Sequence, residues 1–121
     1  MSNLPFREKY TEKRRKEEAD RIIQKYPDRV PVIVERAPKS SITLIRKNKF
    51  LIPMDLTVGQ FVYVIRKRIK LAPEEAIFLF INDIIPSIDT LMSELYEQQK
   101  SSDNFLYVLY HSENVFGDYF P

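Results

Sequence analysis

Few residues of this sequence could do covalent chemistry, and most of the usual ones are missing. There is no cysteine, and His111 is the only histidine. Disulfides, thiolate metal sites and a cysteine nucleophile are excluded, and a reducing compartment is allowed. A single imidazole is a poor basis for a metal cluster or a histidine triad. No glycine loop can cradle phosphate, since the chain holds two glycines, Gly59 and Gly117. Gly117 lies in "NVFGDYFP" (114–121), where a folded domain gains little from a glycine. With no side chain and a permissive backbone it can thread the narrow channel of a protease or transferase. By position alone it reads first as an ordinary disordered chain end, since termini usually are just that.

The remaining candidates are noncovalent. Net charge is only +2, but "KRRK" (13–16) and "RKRIK" (66–70) are basic clusters. Such clusters can meet nucleic acid, anionic lipid, tubulin or acidic peptides. They are read as two solvated helix faces, with no nucleic-acid partner, because neither is interleaved with the exposed aromatics that single-strand binding requires. At 121 residues the chain forms one domain able to bury a core without metals or disulfides. No run of about eighteen apolar residues exists, so no membrane span is expected. The N-terminus lacks the apolar core of a signal peptide.

The elements that must position these groups follow from periodicity. "TEKRRKEEADRIIQKY" (11–26) predicts a helix capped by Thr11, with Ala19, Ile22, Ile23 and Tyr26 as its apolar stripe and Pro27 as its stop. "LPFREKY" before it allows another short helix. "VPVIVE" (30–35) predicts a strand that is apolar on both faces, hence a sheet covered on both sides. Residues 37–48 read as a loop in which "ITLI" (42–45) could extend a strand. "KFLIP" (49–53) is a second strand, ended or placed at an edge by Pro53. "TVGQ" (57–60) matches a capping box opening a helix to about residue 68, with Gly59 close-packed on the sheet. "AIFLFI" (76–81) is a third strand, "NDI" (82–84) a turn, 90–99 a helix with Leu91 and Leu95 inward, and "NFLYVLY" (104–110) a buried fourth strand. Periodicity alone gives an α+β class, and the order suggests a β-grasp.

In such a sheet "KFLIP" lies at the edge with one side of its backbone unpaired, so an extended peptide can add there. Lys49 and Leu51 share one face; Phe50 and Ile52 share the other. The crossover helix with Phe61 and Val64 covers one face, and the N-terminal helix with Ile22 covers the other. Two apolar pockets then flank the edge. Side chains at i and i+3 of a strand point in opposite directions, so a ligand filling both has the form aromatic-x-x-aliphatic. Lys47, Lys49 and Arg68 favour acidic flanks. Taken singly, Ile33 and Phe61 read as core.

The segments "KYPDRVPVIVE" (25–35), "DLTVGQF" (55–61), "IRKRI" (65–69) and "FLYVLYHSENVFG" (105–117) resemble the autophagy-related protein 8 family, which includes the GABA type A receptor-associated proteins. The resemblance runs from about residue 6 to Gly117. It implies a ubiquitin-like β-grasp with a four-stranded mixed sheet and two additional N-terminal helices. It divides the chain into a helical extension (1–27), a ubiquitin-like domain (28–111), a flexible arm (112–117) and a propeptide (118–121).

The resemblance implies a modifier of autophagy, not an enzyme, and no cofactor. A cysteine protease would cut the Gly117–Asp118 bond. E1-like and E2-like enzymes would then pass the Gly117 carboxylate, as a thioester, to phosphatidylethanolamine. The product would leave the cytoplasm for autophagosome or other vesicle membranes, reach the vacuole or lysosome after fusion, and recruit cargo receptors through aromatic-x-x-aliphatic motifs. The first pocket would be lined by Glu18, Ile22, Pro31, Ile33, Lys49, Leu51 and Phe105. The second would be lined by Phe50, Ile52, Pro53, Leu56, Phe61 and Val64. Arg29, Lys47 and Arg68 would serve acidic flanks, and Phe78 and Phe80 resemble positions that contact the processing protease. "SSITLIR" (40–46) departs from the family, which usually carries acidic and polar residues there. Two alternatives from other classes are an unconjugated ubiquitin-like adaptor in vesicle trafficking and a basic module binding lipid or tubulin.

Overall fold

Hydroxyl caps fix where the two longest helices begin. The computed structural model describes residues 4–112. Its elements are α1 (Phe6–Lys9), α2 (Glu12–Lys25), β1 (Arg29–Arg36), β2 (Lys49–Pro53), α3 (Val58–Arg68), β3 (Phe78–Phe80), α4 (Met92–Gln99) and β4 (Leu106–His111). At α2 the Thr11 hydroxyl accepts the Arg14 N–H at 3.2 Å. At α3 the capping box is complete: Thr57 Oγ1 accepts from Gln60 N at 3.2 Å, and Gln60 Oε1 accepts from Thr57 N at 2.9 Å. Two backbone donors that the helix itself cannot satisfy are thereby paired.

The sheet runs β2-β1-β4-β3. The outer pairs are antiparallel and the central pair, β1 with β4, is parallel, so the sheet is mixed. This is the ubiquitin-like grasp, with α3 crossing one face and α1 and α2 added on the other. Strand β1 explains the layering. Val30, Val32 and Val34 enter the main core with Phe50, Ile52, Phe61, Ile65, Leu106 and Val108. Ile33 points the other way, into a second cluster with Phe6, Ala19 and Phe105. A sheet apolar on both faces requires a cover on each. Ile22 of α2 joins the second cluster while Ile23 packs against the first, so α2 straddles the boundary. Tyr26 is exposed at the α2 C-cap and leaves the expected stripe.

Several elements differ from the sequence reading. "ITLI" does not extend a strand: Ile42 and Ile45 turn into the core while Thr43 and Leu44 stay exposed. The buried Tyr110 hydroxyl holds that loop, accepting from Ile45 N and donating to Thr43 O, both at 2.7 Å. Strand β3 is shorter than expected because only Phe78–Phe80 finds partners on β4. Ile81 instead pairs with Ile84 across a tight turn, with Asn82 and Asp83 at φ 49° and 66°. Asn and Asp tolerate that left-handed geometry better than bulky residues do. Leu91 is the exposed N-cap of α4, and Met92 takes the inward place beside Leu95. Gly59 does not pack on the sheet. It donates to Ile88 O at 3.0 Å, and a Cβ there would lie 3.3 Å from the same oxygen.

The Thr57 cap, half-buried and outside the core clusters, can be tested without removing core volume. Thr57→Ala should cost about 1 kcal/mol in urea unfolding, the usual worth of an N-cap hydroxyl. An unchanged midpoint would mean that packing alone holds the start of α3.

Candidate functional site

The free edge of β2 is the feature that could recognise another chain. Val34 N donates to Asn48 O at 2.8 Å and Met54 N to Asp28 O at 3.1 Å. With the register Val32↔Phe50 and Val30↔Ile52, the bonded positions of β2 are Phe50 and Ile52. The alternation of an antiparallel ladder turns the N–H and C=O of Lys49 and Leu51 outward. Pro31, which has no N–H to give, lies opposite Leu51, where none is required. No strand of the described residues covers this edge. Arg29 reaches over it, donating from Nη1 to Leu51 O at 3.4 Å.

On one side of the edge the structure brings Glu18, Ile22, Ile33, Lys49, Leu51 and Phe105 around α2. Lys49 Nζ forms an ion pair with the Glu18 carboxylate. Burial pushes the Lys49 ammonium below its ordinary value. Pro31 is buried, and Leu51 is half-buried. Ile33 and Phe105 are both 0% exposed, so the floor of the first pocket is fully covered.

On the other side, Phe50, Ile52 and Phe61 belong to the main core, with Phe50 and Phe61 edge-to-face at 5.7 Å. Leu56 and Val64 are half-buried and line an open groove of about 530 Å³ with Gly59, Gln60, Tyr63 and Ile88. Pro53 is half-buried but outside that lining. The sequence reading missed Tyr63 and Ile88. Tyr63 is a large exposed apolar side chain on α3, while Ile88 comes from a loop no helix period could place.

The arginines are busier than the basic clusters suggested. Arg68 donates to Lys47 O at 3.1 Å and stacks over the Phe50 ring at 4.5 Å. Arg66 donates to Glu75 O and Ala72 O at 2.8 and 2.9 Å. Arg15 pairs with the fully buried Asp103 and donates to Tyr107 Oη at 3.3 Å. Arg15 and Arg66 are half-buried and tied to the fold, while Lys13, Arg14, Lys16, Lys67, Arg68 and Lys70 are exposed, so most of each cluster is the solvated face expected. Phe78 and Phe80 sit on β3, at the opposite edge from β2. The Gly117–Asp118 bond and the end of the proposed arm lie outside the described residues.

Asp103 is a residue that the sequence reading passed over. Its Oδ1 accepts from Phe105 N at 2.9 Å, and its Oδ2 accepts from Tyr107 Oη at 2.5 Å and from Arg15. One carboxylate thus ties α2 to β4 and fixes the backbone of Phe105. Burial opposes the charge on Arg15, but the bonds to Tyr107 and Asp103 outweigh it, and the guanidinium lies above its ordinary value. Burial, with help from the bond to Asp103, pushes the Tyr107 phenol up to about 12.

Comparison with known proteins decides the family. The family model "Autophagy protein Atg8 ubiquitin like" matches residues 14–117. The chain belongs to the Atg8 family. Autophagy-related protein 8 of Schizosaccharomyces pombe is 58% identical over 116 residues, covering 96% of this chain and 96% of that protein. Its counterpart in Mycosarcoma maydis is 58% identical over 112 residues, covering 93% and 95%. Among solved structures, Trypanosoma brucei ATG8 superposes with a TM-score of 0.86 at 37% identity, over 91% of this chain and 95% of that one. Plasmodium falciparum Atg8, in complex with a Plasmodium falciparum Atg3 peptide, gives a TM-score of 0.84 at 37% identity, over 91% and 97%. This Atg8-family chain is therefore a ubiquitin-like modifier of autophagy, as the resemblance implied.

The Tyr107 shift carries a sign. A phenol held neutral in the folded state stabilises the fold below the unfolded value near 10, and that contribution is lost as pH rises from 10 toward 12. Tyr107→Phe should therefore lose less stability between those limits than the parent. Urea midpoints across an alkaline series check this, and parallel slopes for both proteins would refute it.

Proposed function

We propose that this Atg8-family chain is cut after Gly117, conjugated through that glycine, and bound by receptor peptides along β2. The observation that carries the docking part is the free β2 edge, with Lys49 and Leu51 backbone groups turned outward between two helices. The family match ending at Gly117 supports the processing part, because it leaves 118–121 outside the shared region. On this reading residues 1–27 are a helical extension, 28–111 the ubiquitin-like domain, 112–117 the arm and 118–121 the propeptide.

The chain supplies the acyl group and no catalytic group. A cysteine protease hydrolyses the Gly117–Asp118 bond. Adenylation of the freed carboxylate by ATP releases pyrophosphate. An E1-like cysteine then displaces AMP, an E2-like cysteine takes over the thioester, and the amine of phosphatidylethanolamine displaces that thiolate to leave an amide. The Atg3 peptide bound to the Plasmodium relative supports an E2-like partner. The protein would begin in the cytoplasm, work on autophagosome or vesicle membranes, and reach the vacuole or lysosome on fusion. In binding, Lys49 and Leu51 pair with the ligand backbone. An aromatic side chain enters by Ile22, Ile33 and Phe105, and an aliphatic one enters by Leu56 and Val64. Arg29, Lys47 and Arg68 meet acidic flanks, while Phe78 and Phe80 contact the protease. The basic-module alternative is weakened because Arg15 and Arg66 are engaged by carboxylate and carbonyl partners within the fold.

Intact mass of the protein from cells should lack residues 118–121, and the membrane fraction should add one phospholipid. Gly117→Ala should abolish both changes. Finding only full-length mass in every fraction would reject the processing claim.

Docking can be tested separately. An aromatic-x-x-aliphatic peptide should bind near micromolar, about −8 kcal/mol. Leu51→Ala should weaken it by roughly 1–2 kcal/mol, as for a modest anchor. An unchanged dissociation constant in a folded variant would remove Leu51 from the site.

A further inference from the structure

We infer that Phe6 is the resident occupant of the first pocket, and that a ligand's aromatic side chain must displace it. This rests on the docking reading above. The floor of that pocket, Ile33 and Phe105, is 0% exposed, so an entering ring can touch neither unless something moves. What lies against that floor is Phe6, itself buried, in one cluster with Ala19, Ile33 and Phe105. Its ring meets Phe105 edge-on, with centroids 5.3 Å apart at 78°, a favoured aromatic geometry. Lys49 Nζ stands 5.8 Å from the centre of the same ring, within cation–π range, and is paired to Glu18. An incoming aromatic ring would seek the same contacts: an aromatic edge, aliphatic walls and an ammonium.

Phe6 is also held in a way that allows release. It opens α1, which is only four residues long and whose N-cap, Pro5, makes no side-chain cap bond. Its N–H donates to Glu35 Oε2 at 2.7 Å. A one-turn helix has no cooperative stability of its own, so ring packing and this bond account for its position. The barrier across the pocket mouth is weak as well. Lys49 and Glu18 are each about a third exposed, and such pairs are worth little. Phe6 is thus a specificity-determining residue. It competes with ligands for the aromatic site and leaves the aliphatic site alone.

The test compares the full chain with Phe6→Ala and Glu35→Ala, using a synthetic aromatic-x-x-aliphatic peptide and the same peptide with alanine at the aromatic position. If the open pocket is populated in about a tenth of molecules, Phe6→Ala should tighten the aromatic peptide about ten-fold. It should leave the alanine peptide unchanged. Glu35→Ala, which keeps Phe6 but removes its backbone acceptor, should shift the aromatic peptide in the same direction by less. It also decides the matter if Phe6→Ala fails to fold. Labelled Phe6 ring resonances in the parent should move when the aromatic peptide is added and stay put with the alanine peptide. Unchanged or weakened aromatic binding in a folded Phe6 variant, or Phe6 resonances that never respond, would overturn the assignment. That result is distinct from failure of the docking reading, in which the parent binds neither peptide and Leu51→Ala changes nothing.

Discussion

Strand β1 is apolar on both faces, and most of the architecture answers that one fact. Each large apolar side chain taken out of water gains about 1.5–3 kcal/mol, and none of that is realised at a face left open. Val30, Val32 and Val34 are served by the crossover helix α3 and by α4. Ile33 faces the other way and needs α1 and α2. Because β1 sits between β2 and β4, covering both of its faces also places a helical layer on each side of β2. A free strand edge between two apolar flanks is thus a by-product of burying a central strand twice.

The second layer is thin and needs more than apolar contact to stay in place. Its cluster holds four buried residues, against nineteen in the main core, so packing alone fixes it less firmly. The Asp103 carboxylate supplies directed bonds instead. It takes Arg15 from α2, Tyr107 from β4 and the N–H of Phe105. A buried charge is costly unless every lone pair is used, and this one has a partner on each oxygen. The return is geometric: Phe105 cannot shift without breaking a charge-assisted bond. On the proposed docking reading the pocket floor is fixed by Asp103, while its cover hangs on Phe6 and the Lys49–Glu18 pair, each side chain about a third exposed.

The fold was largely legible because its signals are local. Thr57 and Gln60 announce α3, Asn82 and Asp83 their turn, and the double-sided apolar pattern of 30–35 the layered sheet. The edge position of β2 needed topology, which periodicity suggests and the family resemblance made specific. What stayed hidden depends on contacts distant in sequence. Tyr110 reaches back 65 and 67 positions to hold the 43–45 loop, and nothing near residue 43 indicates that. Asp103 looks like any loop acid until Arg15, 88 positions away, is beside it. The basic clusters are the largely solvated faces expected, but their contacts stayed hidden for the same reason. Charge was visible, but the carbonyls of Lys47, Ala72 and Glu75 that take up Arg68 and Arg66 were not. Phe6 was passed over because a four-residue helix leaves no period to read.

The proposed recognition and conjugation place opposite demands on backbone, and the proposed function assigns them to separate parts of the chain. A strand edge that reads a peptide must hold its N–H and C=O groups in register, and β2 is held by bonded pairs to β1 along its length. Pro31 and Pro53 are tolerated because both fall where β2 and β1 need no N–H between them. A reactive terminus must instead pass through other enzymes' channels, which favours glycine over any residue with a Cβ. The chain has two glycines. Gly59 is consumed in the fold, where a Cβ would crowd Ile88. Gly117 follows β4 in sequence, at the limit of the family match. Under the proposed function one glycine serves packing and the other the terminus, as a rigid reading surface joined to a transferable end requires.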